Sequence, residues 1–272
     1  MRSIAIMNQK GGVGKTTTAV NVSAALAATG QRVCLIDMDP QAHASLHFGL
    51  EAGPETITMY DVLVGRSSLA EARRSVAENL WLAGSSLDLA GAEVEMASIV
   101  GRESVLRDKL REDDFPVDYL LIDCPPSLGV LTLNALAAVE EVFIPLQPHF
   151  LALHGLSKLL ETIDLVARRL NPRLRISGVI LCMYDVNTRL AAEVSQDVDL
   201  FFRNARHEQT PWAHAQTFHT RIRRNIRLAE APSFGQSIFQ YAPGSSGAED
   251  YAQLVEEILT SRAADTASPN DR

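Results

Sequence analysis

The sequence predicts an α/β fold, a doubly wound, mostly parallel sheet flanked by helices. Three observations predict it. Short apolar runs alternate with longer helical patterns, the rhythm of βαβ units joined by right-handed crossovers. Most of those runs are continuously apolar, as strands covered on both faces must be. A glycine- and lysine-rich loop separates the first apolar run from the first helical pattern.

In order, the expected strands are Ser3–Met7, Arg32–Asp37, Leu80–Ala83, Tyr119–Asp123, Glu141–Pro145 and Ile176–Met183. The expected helices are Thr16–Thr29, Ser104–Glu112, Val130–Val139, Gly155–Leu170 and Arg189–Arg203. A last helix, about Ala248–Arg262, carries Tyr251, Leu254, Val255, Ile258 and Leu259 as one apolar stripe. Asn204–Thr220 breaks the rhythm. It is polar, rich in His and Gln, and reads as a surface loop or irregular insertion. No repeat, low-complexity block or linker divides the chain, so residues 1–262 are expected to form one domain and 263–272 a polar, disordered tail.

Composition bounds the function. With 272 residues, 46% of them hydrophobic, the chain can bury a full core without staples. No apolar run is long enough to span a membrane, and Met1-Arg2-Ser3 is followed by only four apolar residues, too few for a signal peptide. Cys34, Cys124 and Cys182 lie far apart in apolar runs and read as reduced core thiols of a cytosolic protein. The net charge of −8 argues against a constitutively basic nucleic-acid binder.

The loop Gln9-Lys10-Gly11-Gly12-Val13-Gly14-Lys15-Thr16-Thr17-Thr18 has the context of a phosphate cradle. Glycines let backbone N–H groups approach phosphate oxygens, and the following helix adds its positive end. Gly11, Gly12, Val13, Gly14, Lys15, Thr16 and Thr17 are the expected nucleotide contacts, with Lys15 on the β- and γ-phosphates and the Thr16 hydroxyl on Mg²⁺. The first glycine of the ordinary pattern is replaced by Gln9, and a second lysine, Lys10, stands beside it. That is the deviant Walker A form of the P-loop NTPases. Lys10 has no room to serve the same phosphate from the same side as Lys15, so its natural place is across an interface, on a nucleotide held by a second subunit.

Two strand ends carry acids, Ile36-Asp37-Met38-Asp39-Pro40-Gln41 and Leu121-Ile122-Asp123-Cys124-Pro125-Pro126. A strand-end Asp is ordinarily a cap or turn former, but three of them beside a phosphate loop point to metal and water. Asp123 fits the Walker B role at Mg²⁺. The Pro-Pro-Ser-Leu-Gly run that follows reads as a switch segment sensing the γ-phosphate.

The chain resembles the ParA family of chromosome and plasmid partition ATPases from Ile4 to about Leu259. The matching segments are Asn8–Asn21, Ile36–Gln41, Leu89–Glu93, Ile122–Gly129 with Thr132–Ala135, Ala152–Leu160, Arg224–Ser233 and Gly247–Tyr251. The resemblance implies that Asp39 positions the attacking water and Asp37 supports the metal shell. It places adenine near the end of Ile176–Met183 and the segment Pro243–Gly247, with Met183 packing on the ring and Pro243 beside it. It also implies ATP and Mg²⁺ as cofactors and an ATP-state homodimer. The implied partners are non-specific double-stranded DNA and a ParB-like centromere-binding protein or equivalent adaptor that stimulates slow hydrolysis. The implied location is cytoplasmic and nucleoid-associated, without a membrane.

Six arginines and one acid lie between Arg203 and Arg227, a local +5 that leaves −13 elsewhere. A charge run is usually a solvated face. Here the position matches the family's DNA-binding segment, which points to Arg221, Arg223, Arg224 and Arg227, with Arg189 extending the patch. The family usually has Ile-Pro-Arg-Asn where this chain has Ile222-Arg223-Arg224-Asn225. His149 and His154 stand where the family often has acids and read as surface or capping residues. His207, His214 and His219 match no familiar metal-ligand spacing. The alternative function is a MinD-like membrane-associated ATPase, which needs a basic amphipathic C-terminal helix. Glu249, Asp250, Glu256 and Glu257 oppose that. A reductase of the same class needs cysteines placed to bridge a dimer, and no such pair emerges.

Overall fold

Alternate residues of the central strands fill two different cores. Ile4, Ile6, Val33, Leu35, Tyr119 and Leu121 face one, whereas Ala5, Met7, Cys34, Ile36, Leu120 and Ile122 face the other. Both faces of the sheet are therefore dry, which is why its strands read as unbroken apolar runs. The computed structural model describes the backbone of residues 1–150 and 152–267 and the side chains as far as Ser261.

The strands are β1 (Arg2–Ile6), β2 (Val33–Asp37), β3 (Arg73–Ala77), β4 (Leu80–Ala83), β5 (Tyr119–Asp123), β6 (Glu141–Leu146), β7 (Arg175–Leu181) and β8 (Gln216–Thr217). They form one sheet in the order β3-β4-β2-β5-β1-β6-β7-β8, parallel throughout except where β3 meets β4. The helices are α1 (Lys15–Ala28), α2 (His43–His47), α3 (Met59–Leu63), α4 (Leu69–Ala72), α5 (Leu89–Glu95), α6 (Val105–Glu112), α7 (Val130–Ala138), α8 (Ala152–Arg169), α9 (Arg189–Ala205), α10 (Ile226–Glu230), α11 (Ile238–Tyr241) and α12 (Ser246–Ala267). This is the expected doubly wound sheet. The loop after β1 opens beside β5, at the reversal of strand order where such sheets bind ligands.

Local sequence explains where α1 sits. Gly14 adopts φ +91°, a left-handed turn that glycine takes without strain, and swings the chain from loop to helix. The helix stops at Gly30, φ +84°, where the N–H groups of Gly30 and Gln31 close on the carbonyls of Ala27 and Leu26.

Three expectations need correction. β3 carries Arg-Arg-Ser-Val-Ala, an exposed antiparallel edge with no apolar run to announce it. Asn204–Thr220 is not simply a surface loop. Ala213, Ala215 and Phe218 are buried, β8 pairs with β7, and the Phe218 ring lies where a Cβ on Gly178 would be. Small buried residues around a two-residue strand give no period to read. Finally, α12 starts at Ser246 and runs to Ala267, past the expected end near Arg262. Of the expected tail, 268–272 lies outside the described residues.

Candidate nucleotide site

The carboxyl ends of β1, β2 and β5 converge on a cavity of about 850 Å³, large enough for a nucleotide. Gly11, Gly12, Gly14, Lys15, Thr16 and Thr17 line one end with Asp39, Gln41 and Pro126. Val13 turns inward instead and is buried as a hydrophobic anchor of the loop. The start of the loop is fixed by Asn8, which donates to the Pro145 carbonyl at 2.7 Å and accepts the Lys10 N–H at 3.0 Å. Lys15 Nζ rests on the Lys10 carbonyl at 3.3 Å. Burial lowers the Lys15 pKa, and the charges of Asp123 and Asp39 oppose the fall. Lys10 is exposed and touches His149 through Nζ and Nε2.

The three acids differ in what they are free to do. Asp37 is wholly buried, and both its oxygens are engaged. One accepts the Asp39 N–H at 3.1 Å, the other the N–H and hydroxyl of Ser45 at 2.9 and 2.8 Å. Burial pushes its carboxyl up to about 6 against those hydrogen bonds. Asp37 thus anchors the turn into α2. Asp39 accepts the Gln41 N–H at 3.0 Å and lines the cavity. Asp123 is wholly buried, and neither carboxylate oxygen has a hydrogen-bond partner. Burial, then the negative charge of Asp37, holds it well above the usual carboxylate range, and the nearby Thr16 hydroxyl and Lys15 only partly offset this. An orphaned buried carboxylate beside a threonine hydroxyl is a donor set suited to a hard divalent cation.

The far end of the cavity is lined by Cys182, Met183, Ile222, Arg223, Arg224, Asn225, Ile226, Leu228 and Tyr251. Met183 is there as expected, held at φ +51°, a conformation uncommon outside glycine. Pro243 is not there. It lies in a separate hollow of about 450 Å³ with Phe239, Gly244, Ser245, Ala248, Glu249 and Ala252, where the end of α11 meets the first turns of α12. Sequence reasoning named none of Cys182, Ile222, Asn225, Ile226, Leu228 and Tyr251 as contacts, and three of them, Ile222, Asn225 and Ile226, lie in the segment read for its arginines.

Those arginines are presented unequally. Arg189, Arg224 and Arg227 are exposed, and Arg227 pairs with Glu230 at 2.8 Å. Arg221 is half-buried, donating to the Phe218 carbonyl and to Ser195 and lying 6.0 Å from the centre of the Tyr184 ring. Arg223 is clasped by Asp250 at 2.6 Å and Glu249 at 2.7 Å, and its N–H also donates to Asp250. Glu257 receives the N–H groups of His219 and Thr220. The acids of α12 therefore offset much of the +5 seen in the sequence. Its apolar stripe is core, with Tyr251, Leu254, Val255 and Ile258 all buried. Among the described residues no helix is long and apolar enough to cross a membrane. Cys34, Cys124 and Cys182 are buried free thiols, each with its pKa raised by burial.

A family model described as an AAA domain matches residues 1–176. The chain is 44% identical over 256 residues to the sporulation initiation inhibitor protein Soj of Bacillus subtilis, covering 94% of this chain and 97% of that one. It is 42% identical over 263 residues to the chromosome partitioning protein ParA of Caulobacter vibrioides, covering 96% and 94%. Among solved structures, cobyrinic acid a,c-diamide synthase from Mycobacterium smegmatis with bound ATP analogue and magnesium superposes with a TM-score of 0.81 at 32% identity, covering 100% of both chains.

Proposed function

The chain belongs to the ParA/Soj family of chromosome-partitioning ATPases, and from that premise we propose that it is a dimerising positioning ATPase that grips DNA non-specifically in its ATP state and releases it on partner-stimulated hydrolysis. The observation that carries the reading is the orphaned Asp123 carboxylate beside Thr16, under a glycine loop that ends in Lys15.

The cofactors are ATP and Mg²⁺. Thr16 and Asp123 would hold the metal, with Asp37 behind them fixing the β2 end. Bound there, Mg²⁺ supplies charge neutralisation for the phosphates. The loop N–H groups and the start of α1 bind phosphate oxygens. Lys15, already desolvated, exchanges the Lys10 carbonyl for β- and γ-phosphate oxygens. Asp39 accepts a hydrogen bond from the attacking water and orients it in line with the leaving oxygen. Lys10 reaches across the interface to the nucleotide of the second subunit, leaving His149 as it does so.

The DNA surface is built from Arg189, Arg221, Arg224 and Arg227. Arg223 keeps the segment in place through Asp250. One copy presents few unpaired cations, and two copies side by side present twice as many to the phosphate backbone. A ParB-like centromere-binding protein or equivalent adaptor is the stimulating partner, and the protein works in the cytoplasm on the nucleoid. Among the described residues the apolar stripe of α12 is buried, so it offers no face to a membrane as the MinD-like alternative would need. An amide-forming synthase would need an acceptor pocket next to the phosphates, and the second hollow shares no lining residue with the nucleotide cavity.

ATP turnover and DNA retention test the reading together. Wild type should hydrolyse ATP with Mg²⁺ and hold DNA only with nucleotide, and Lys15→Ala should do neither. DNA retention by Lys15→Ala equal to wild type with ATP would overturn the reading.

A further inference from the structure

The helix that follows the Asp123 strand begins without a cap of its own. Gly129 is the residue before α7 and has no side chain with which to accept the free N–H groups of the first turn. The acceptor comes from another helix. Glu93 of α5 accepts the Leu131 N–H through Oε1 at 3.5 Å. Its negative charge also meets the positive end of α7.

Gly129 is what admits that carboxylate. Its φ of −80° and ψ of −172° are open to any residue, so the backbone does not demand glycine. Space does. A Cβ at 129 would overlap Glu93 Oε1 and stand 3.0 Å from Cδ. The glycine and the glutamate, 36 positions apart in the sequence, form one fitted contact.

That contact fixes one end of the exposed run Pro126–Leu128. The other end is held at β5, where the Cys124 N–H donates to the Ile6 carbonyl at 3.2 Å. Within the run, the Ser127 carbonyl accepts the buried Thr132 hydroxyl at 2.6 Å, and Pro126 is a wall of the cavity. Glu93 itself rides on a helix seated by Leu89 and Ala92, both wholly buried.

We propose that Glu93 is a positioning residue for hydrolysis. By capping α7 across Gly129 it holds the Pro126–Leu128 run against the phosphate end of the cavity, in the place from which the run can respond to the terminal phosphate. The proposal rests on the nucleotide reading of the cavity. Glu93 lines no part of that cavity. Loss of the cap therefore lets the run drift and slows turnover without weakening nucleotide binding.

The test measures kcat and KM for ATP and the Kd of a fluorescent ADP on the full chain. The proteins are wild type, Glu93→Ala, Glu93→Gln and Gly129→Ala, with Lys15→Ala as reference. Removal of one helix cap should lower kcat about fivefold to tenfold in Glu93→Ala, with KM and Kd within about twofold of wild type. Glu93→Gln keeps an accepting oxygen and should recover most of the loss. Gly129→Ala should reproduce the loss with its glutamate intact. Unchanged kcat in Glu93→Ala and Gly129→Ala would overturn the proposal, as would a KM that rises in step with the loss or a Gln variant as slow as Ala. If Glu93→Ala does not fold, the other two variants decide. Wild type that does not bind ADP, or Lys15→Ala that binds it as tightly, would overturn the nucleotide reading instead, however Glu93 behaves.

Discussion

Asp37 and Asp123 are register partners at the ends of adjacent parallel strands, both wholly buried and both with raised carboxyl pKa values. Asp37 accepts three hydrogen bonds, whereas neither oxygen of Asp123 has a hydrogen-bond partner, with the Thr16 hydroxyl only nearby. The phosphate site therefore holds a buried acid that costs stability in the absence of a cation, the usual exchange of stability for function.

A raised carboxyl binds protons in the folded chain at a pH where the unfolded chain has released them. Its contribution to stability thus grows as pH falls through the folded pKa, about 6 for Asp37, toward 4 and is lost as pH rises through it. Asp123→Asn should flatten that slope, and without nucleotide it should melt no lower than wild type at pH 7. It should also lose Mg²⁺-dependent hydrolysis. Thermal scans at pH 5 and 7 beside an ATPase assay check both. A variant that melts well below wild type at pH 7 would contradict the assignment.

His47 titrates in the opposite sense. It is buried on α2, its Nε2 has no partner, and burial lowers its pKa to about 4 although the Gln236 backbone favours the charged form. Its stabilising contribution is complete above the unfolded value near 6.5 and is lost as pH falls from there through the folded value. The loss should be on the order of 3 kcal/mol. Denaturation of wild type and His47→Leu between pH 7 and 4 isolates it, and parallel curves would count against it.

Lys10 and His149 touch, and the His149 pKa is lowered, chiefly by burial and then by the Lys10 charge. Lys10→Ala should raise it part of the way back. Histidine chemical shifts followed against pH in both proteins measure this directly, and an unmoved titration would show that the contact does not persist in solution.

Arg223 and Arg224 are neighbours in different surroundings, the first ion-paired to Glu249 and Asp250 and the second exposed. Arg224→Ala should weaken DNA binding and reduce the slope of log K against log salt by about one, the mark of a lost phosphate contact. Arg223→Ala should leave the slope nearly unchanged but lower the melting temperature, because it abandons the buried Asp250. DNA titrations at three salt concentrations separate the two.

Much of this was legible in the sequence because it is local. Leu80–Ala83 and Tyr119–Asp123 coincide with their strands, since a strand dry on both faces has only apolar residues to show. The phosphate loop was legible because Gly14 and Lys15 must stand at fixed places relative to β1 and α1. The far end of the cavity was not. Ile222 and Asn225 reach it through the pairing of the Tyr184 N–H with the Ile222 carbonyl and through a hydrogen bond from Asn225 to Ser246, contacts between segments far apart in the chain. The same distance hid Glu93, whose partner is a glycine that the backbone did not require. Composition also overstated the basic segment, because Glu249 and Asp250 come to it from another helix.

The central claim is that ATP turns an acidic monomer with one weak basic patch into a DNA-binding dimer and that Asp39 releases it. The most direct measurement is retention of Asp39→Ala on non-specific duplex DNA with ATP and Mg²⁺, compared with the same protein without nucleotide. Strong retention with ATP alone, falling steeply with salt, is the predicted result. Retention no better with ATP than without it would contradict the account.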